Sequence, residues 1–269
     1  MDISVRGVSK VYESRSGPLV ALRGVDLQIP QGKFVSLVGV SGCGKTTLLE
    51  IIAGLTFPTS GEVAVGGKRV VGPGLDRPVV FQGDAVFPWM TVAKNVEYGL
   101  VQMGVERRER KERVQGLLDL VGLTEFRNAY PKELSGGMKK RVDLARAYAV
   151  DPDVLLMDEP FGMLDAITKE KMQVDLLELT RSVGKEKTVI FVTHDLEEGL
   201  FISDSVVIMT PRPGRIREIV EVPFGRDPIP AVKTTPEFQT LRRRLSVSLA
   251  TEANDSVKEN AGEDHAALP

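Results

Sequence analysis

Gly39-Val40-Ser41-Gly42-Cys43-Gly44-Lys45-Thr46 decides the fold of this chain. The eight residues fit G-x-x-x-x-G-K-[S/T] at every position. Glycines in this pattern let backbone N–H groups turn inward around phosphate oxygens, and the helix that starts behind them favours negative charge. Lys45 then reaches the β- and γ-phosphates of a nucleotide, and the Thr46 hydroxyl ligates Mg²⁺. Thr47 comes next and belongs with the loop. Cys43 holds a variable position and reads as inert filler, although a helix N-terminus there would lower its thiol pKa and sensitise it to alkylation.

The flanks of the loop carry the right periodicities. Phe34-Val35-Ser36-Leu37-Val38 is an apolar run of strand length. Residues 46–53, with Leu48, Leu49, Ile51 and Ile52 apolar, read as a helix. Strand, Gly-rich loop and helix in that order make a phosphate-binding unit. Upstream, Ile3, Val5, Val8, Leu27 and Ile29 read as β-rich, with turns at Gly17-Pro18 and Pro30-Gln31-Gly32. Residues 62–71, broken by Gly66-Gly67, read as a hairpin. Val79-Val80-Phe81 reads as a strand.

Farther on, residues 92–150 turn rich in Glu, Lys, Arg and Leu, with Val114, Leu117, Leu118 and Val121 at helical spacing. This stretch reads as a helical insertion. The β pattern returns at residues 154–157, 189–192 and 206–209, with a helical segment at 166–182 between the first two and residues 195–203 between the second and third. That alternation predicts a mostly parallel sheet flanked by helices. Leu241, Leu245 and Leu249 predict one late helix, and residues 251–269, poor in large apolar side chains, read as a mobile tail.

Val154-Leu155-Leu156-Met157 ends in Asp158-Glu159. A buried strand delivers such acids to its C-terminal edge, where α/β sheets bind ligands. Asp158 would hold Mg²⁺, directly or through water, and Glu159 would polarise an attacking water. Leu134-Ser135-Gly136-Gly137-Met138 precedes a helix containing Arg141, Leu144, Ala145 and Arg146. Ser135 suits an N-cap there, and a capped helix start with two glycines also suits a γ-phosphate.

The last segment closely resembles the signature motif of the ABC ATPase family, with Met138 where glutamine is commonest. The resemblance covers residues 1 to about 220. It implies an α/β P-loop NTPase with a RecA-like parallel core sheet, an N-terminal antiparallel β region and a helical subdomain carrying the signature. It further implies that Gln82 is the Q-loop glutamine, sensing γ-phosphate and Mg²⁺. Asp165 resembles the D-loop aspartate, His194 the switch histidine and Tyr12 the aromatic that stacks on adenine. Family architecture implies a head-to-tail homodimer in which Ser135, Gly136 and Gly137 of one subunit complete the ATP site of the other. A groove on the helical subdomain would receive a membrane permease. Phe87-Pro88-Trp89-Met90-Thr91-Val92, Asn95-Val96 and Thr210-Pro211-Arg212-Pro213-Gly214-Arg215-Ile216 resemble the nitrate, sulfonate and taurine importer ATPases, whose systems also use an extracytoplasmic solute-binding protein. Lys139-Lys140, Asp143 and Met163 depart from the usual pattern.

Bulk properties narrow the rivals. The 269 residues suffice for one large α/β domain or two small ones, expected here as an ATPase domain over 1–225, its insertion at about 88–150, and a C-terminal extension over 226–269. A net charge of −2 leaves no footprint for nucleic acid. One ATPase set without sustained heptads disfavours the non-transport ABC ATPases of DNA repair or translation. A single cysteine, no apolar run near the ~20 residues of a membrane helix, and a start without signal-peptide features predict a reducing, cytosolic setting; the resemblance to transporter ATPases implies the inner face of a bacterial membrane.

Overall fold

The computed structural model describes residues 1–15, 17–83, 85–182, 186–224 and 229–263, with side chains up to 249 outside short gaps. Among these residues the chain opens with β1 (Ile3–Ser14) and β2 (Gly17–Ile29), an antiparallel pair. Then come β3 (Phe34–Val38), α1 (Lys45–Ala53), β4 (Ser60–Val65), β5 (Lys68–Arg69) and β6 (Val79–Val80). The helical insertion holds α2 (Val92–Gln102), α3 (Arg107–Leu120) and α4 (Gly136–Ala149). The remainder alternates: β7 (Val154–Asp158), α5 (Ala166–Ser182), β8 (Thr188–Thr193), α6 (Leu196–Ile202), β9 (Ser205–Met209) and β10 (Ile216–Glu221), closing on α7 (Pro236–Glu263).

Two sheets result. One is antiparallel in the order β2-β1-β4-β5, and the other runs β10-β9-β3-β8-β7-β6. In the second sheet β9, β3, β8, β7 and β6 are parallel, and β10 pairs antiparallel with β9. Both faces of the parallel strands are buried, as crossover helices require, so those strands read as unbroken apolar runs. Their alternate side chains feed different cores. Phe34, Val38, Leu155, Met157, Val189 and Phe191 pack with the helical insertion and α5–α7. Val35, Leu37, Val154, Leu156, Ile190 and Val192 pack with α1 and the antiparallel sheet. A buried Leu→Ala change in such a strand costs roughly 2–5 kcal/mol, so the strand ends are held firmly.

The family's fold class, a parallel α/β core with an antiparallel β region and a helical insertion, is the observed one. Two elements differ from expectation. β10 is absent from the sequence pattern, because Ile-Arg-Glu-Ile-Val-Glu alternates only in part. The late helix continues to Glu263 where a tail is expected from 251, since residues 251–261 contain no proline or glycine to stop it. Phe238 and Leu245 of α7 are buried in the core shared with α5 and α6, and Arg242 pairs with Glu197 at 3.0 Å. Residues 264–269 lie outside the described ones.

Candidate nucleotide site

Parallel strands place their C-terminal ends along one edge, and the site is built largely from the segments that leave them. After β3 the loop enters α1 through Gly42 and Gly44, at φ 77° and 102°. A side chain at Gly44 would also collide with Leu22, 2.6 Å from its Cβ, so the loop's path depends on glycine there. Lys45 is buried at the helix start. Its ammonium donates to the carbonyls of Gly39 at 2.8 Å and Val40 at 3.0 Å. Cys43 beneath the loop is fully buried, and burial pushes its thiol pKa up. This agrees with the inert filler expected at the position, and the lowering that a helix N-terminus would bring does not prevail: desolvation outweighs the Lys45 charge and the N–H groups near the helix start.

β7 delivers Asp158 and Glu159. The Thr46 hydroxyl donates to Asp158 Oδ1 at 3.0 Å, bringing two hard oxygen ligands together. Burial pushes the Asp158 carboxyl up, and the Glu159 charge adds to this, while the Thr46 hydrogen bond and Lys45 oppose it. Glu50, one helical turn beyond Thr46, has its carboxyl raised by burial and by the Asp158 charge. Sequence reasoning missed it, although the i, i+4 spacing from Thr46 was legible.

Glu159 sits at φ 41°, a left-handed backbone that costs a side-chain-bearing residue about 1–3 kcal/mol. Its N–H donates to the Val192 carbonyl at 3.0 Å, which ties the strained turn to β8. The turn points the carboxylate at two partners. Gln82 Nε2 donates to Glu159 Oε2 at 3.3 Å, and His194 Nδ1 lies 3.0 Å from the same oxygen. A carboxylate oxygen only accepts, so a hydrogen bond there places the proton on Nδ1.

An open cleft of about 360 Å³ joins these parts. Tyr12, Leu19, Ala21, Ser41, Gly42, Gly44, Lys45, Thr46, Thr47, Gln82, Glu159 and Arg212 line it. Tyr12 is half-buried at the far side from Glu159's strand, on β1 of the other sheet. Asp158 connects through Thr46, and His194 through Glu159. The cleft lining includes neither residues 135–137 nor Asp165.

Those residues share a different surface. Ser135 caps α4, its hydroxyl accepting from the Met138 N–H at 3.3 Å, and it stands exposed with Gly136. Asp165 is exposed and accepts from the Ile167 and Thr168 N–H groups at 3.1 and 3.0 Å, and hydrogen bonds from Thr168 hold its carboxyl low. A Cβ on Gly137 would lie 3.0 Å from Thr168 Cγ2, so the start of α4 abuts the start of α5.

The atypical residues of α4 form a brace. Lys140 and Asp143 are buried. Lys140 donates to the Phe81 carbonyl at 2.8 Å and lies 3.4 Å from those of Gln82 and Gly83. Asp143 accepts from the Ala85 N–H at 3.3 Å and pairs with Arg146 at 2.7 Å. The Arg146 guanidinium donates to the Ala85 carbonyl and lies 5.0 Å from the Phe87 ring centroid. Asn95 fixes the Phe87 backbone from α2, at 2.7 Å to its N–H and 3.2 Å to its carbonyl. Trp89 beyond them is 69% exposed.

A strand-borne acid pair beside a phosphate loop suits a nucleotide; a serine-capped helix starting with two glycines, displayed away from that cleft, narrows the family. The sequence profile described as ABC transporter matches residues 22–162. The chain belongs to the ABC transporter family. A Methanocaldococcus jannaschii relative, an uncharacterized ABC transporter ATP-binding protein, is 44% identical over 95% of this chain and 94% of its own. The nitrate import ATP-binding protein NrtD of Synechocystis is 44% identical, covering 90% of this chain and 88% of its own. The taurine import ATP-binding protein TauB of Burkholderia pseudomallei is 45% identical, over 92% and 96%. Among solved structures, a dimeric ATP-binding cassette in a post-hydrolysis state with ADP and Pi matches with a TM-score of 0.71, 32% identity, 82% of this chain and 98% of that one. This chain is an ABC ATPase, and its nucleotide is ATP.

Proposed function

We propose that this ABC ATPase powers import of a small anion, working as a homodimer beneath separate permease subunits at the cytoplasmic face of a bacterial membrane. Relatives that import nitrate and taurine, alike over nine-tenths of the chain, support the direction and cargo class. Among the described residues no helix is long and apolar enough to cross a membrane, so the passage itself belongs to other chains. A solute-binding protein outside the membrane would deliver the cargo. Residues 1–225 would form the ATPase domain, with the extension packed on it.

One observation carries the catalytic reading: the Glu159 carboxylate, beside the cleft, is aimed by Gln82 and His194. Adenine stacks on Tyr12, and the phosphates rest on residues 39–47. Thr46, Asp158 and Gln82 would hold Mg²⁺ together with the nucleotide. Their oxygen donors suit a hard cation of that kind. An ion held by these residues would supply positive charge to offset that of the phosphates. Glu159 accepts a proton from the attacking water, and His194 holds that carboxylate in place. Asp165 and residues 135–137 of the second subunit close the seam over the γ-phosphate.

Glu159→Gln keeps the side chain's size and removes the proton acceptor. Turnover of the assembled transporter should fall about 10²–10⁴-fold, while ATP binding survives. With ATP retained, the variant should elute as a dimer, and Ser135→Arg added to it should return the monomer. A Glu159→Gln transporter hydrolysing ATP at the wild-type rate would sink the assignment.

A further inference from the structure

We infer that Arg212 is a nucleotide-binding residue whose guanidinium contacts the phosphate chain that ADP and ATP share. The inference rests on reading residues 39–46 as the nucleotide site, and adds a cation from a distant part of the sequence.

Sheet topology sets up the approach. β9 runs parallel to β3, with Val38 opposite Ile208, so the segment after β9 leaves the sheet beside the phosphate loop. There residues 210–215 form a closed turn. The Thr210 N–H donates to the Arg215 carbonyl at 2.9 Å, and the Arg215 N–H donates to Thr210 Oγ1 at 3.0 Å. The turn is clamped to β2: the Gly214 N–H donates to the Ala21 carbonyl at 2.9 Å, and its own carbonyl accepts from the Arg23 N–H at 3.0 Å. It also presses on the phosphate loop, since a Cβ at Gly214 would fall 2.0 Å from the Cys43 carbonyl oxygen. Only glycine allows that approach, and it fixes where Arg212 starts.

Arg212 then extends over the loop. Its Nη2 lies 3.6 Å from the point a Gly42 Cβ would occupy, and the side chain lines the cleft with Tyr12, Ser41, Lys45 and Thr46. Arg141, Arg146 and Arg242 each close on a carboxylate. Among the described residues Arg212 has no hydrogen-bond or ion-pair partner. An unpaired, permanently charged guanidinium over the glycine-rich loop read here as the phosphate cradle matches the charge of a phosphate. The turn is clamped to Ala21, on the strand paired with that of Tyr12, whereas Glu159 and Gln82 enter the cleft from the ends of β7 and β6. The contact therefore persists after the γ-phosphate is gone, and it strengthens ground state and transition state alike.

The test titrates Mg-ADP into the full-length chain at low and high KCl, for the wild type, Arg212→Gln, Arg212→Lys and Lys45→Ala. Arg212→Gln should weaken binding about three- to tenfold at low salt, because an exposed charge-assisted contact is partly screened. The deficit should shrink at high salt, and Arg212→Lys should keep most of the affinity. In the assembled transporter Arg212→Gln should raise KM for ATP and leave kcat unchanged. Wild-type affinity in Arg212→Gln, with Lys45→Ala unable to bind, overturns the inference and leaves the site intact. So does a loss that lysine does not restore and salt does not alter. Normal binding by Lys45→Ala takes down the site itself.

Discussion

Residues 39–46 and 134–138 are both glycine-bearing entries to a helix, yet the fold gives them opposite circumstances. The first leaves a central strand of the parallel sheet, and its left-handed glycines wrap a buried Lys45 whose ammonium is held by two loop carbonyls. The second begins a helix of the insertion, entered through an extended Ser135 at φ −69° and ψ 163°, with Ser135 and Gly136 in solvent. Both offer N–H groups to an anion. Only the first gathers its acids, amide and imidazole around itself. On the proposed reading, one chain thus contains a finished half-site and, elsewhere, a half-site for a second copy.

The largest effect separates the two directly. Lys45→Ala deletes the cation inside the finished half and should abolish ATP binding, measured with a fluorescent nucleotide analogue. Retained affinity would erase the distinction between the two helix entries. Asp143→Ala strikes the body of the insertion, leaving Lys140 and Arg146 without their shared carboxylate at a position 2% exposed. Urea unfolding should show a loss of about 3 kcal/mol. A loss under about 1 kcal/mol, the scale of an ordinary surface pair, would mean the brace does not hold the insertion to residues 81–85.

Ser135→Ala should cost only ~1 kcal/mol in the same measurement, the usual worth of an N-cap, because the signature surface is not built to stabilise its own chain. A loss as large as that of Asp143→Ala would break the comparison from the other side. The smallest effect has the opposite sign. Burial raises the Asp158 pKa, so its protonated form is favoured in the folded chain. That stability is full below the unfolded carboxylate range and lost as pH rises through the folded pKa. At pH 7 the ionised group is a net cost. Asp158→Asn should melt higher than wild type at pH 7 without nucleotide, and the gap should close as pH falls into the carboxylate range.

Legibility in the sequence tracked periodicity and fixed spacing. Strand, loop and helix at 34–53, the acid pair ending β7, and the late helix all announce themselves by apolar patterning. The chain-edge strand β10 does not, since only its Val220 side chain is buried. Lys140, Asp143 and Arg212 are visible only as oddities or as part of a family motif. Lys140 and Asp143 reach backbone groups of residues 81–85 and Arg212 a loop brought near by sheet topology, and no pattern in sequence marks such a contact far along the chain. Composition alone leaves Trp89 open between core and surface. Asn95 and Arg146 hold Phe87 from behind, and that leaves the indole facing out.

Burial of Cys43 has a practical consequence. The chain's single thiol lies under the phosphate loop with its pKa pushed up, so neutral-pH maleimide chemistry has no accessible native target in the folded protein. A cysteine placed at an exposed position outside the nucleotide contacts, such as 89 near the insertion or 219 on β10, can therefore carry a dye or a crosslinker in an otherwise native background. Distances between such labels could be followed through a turnover cycle without first removing a residue from beneath the nucleotide.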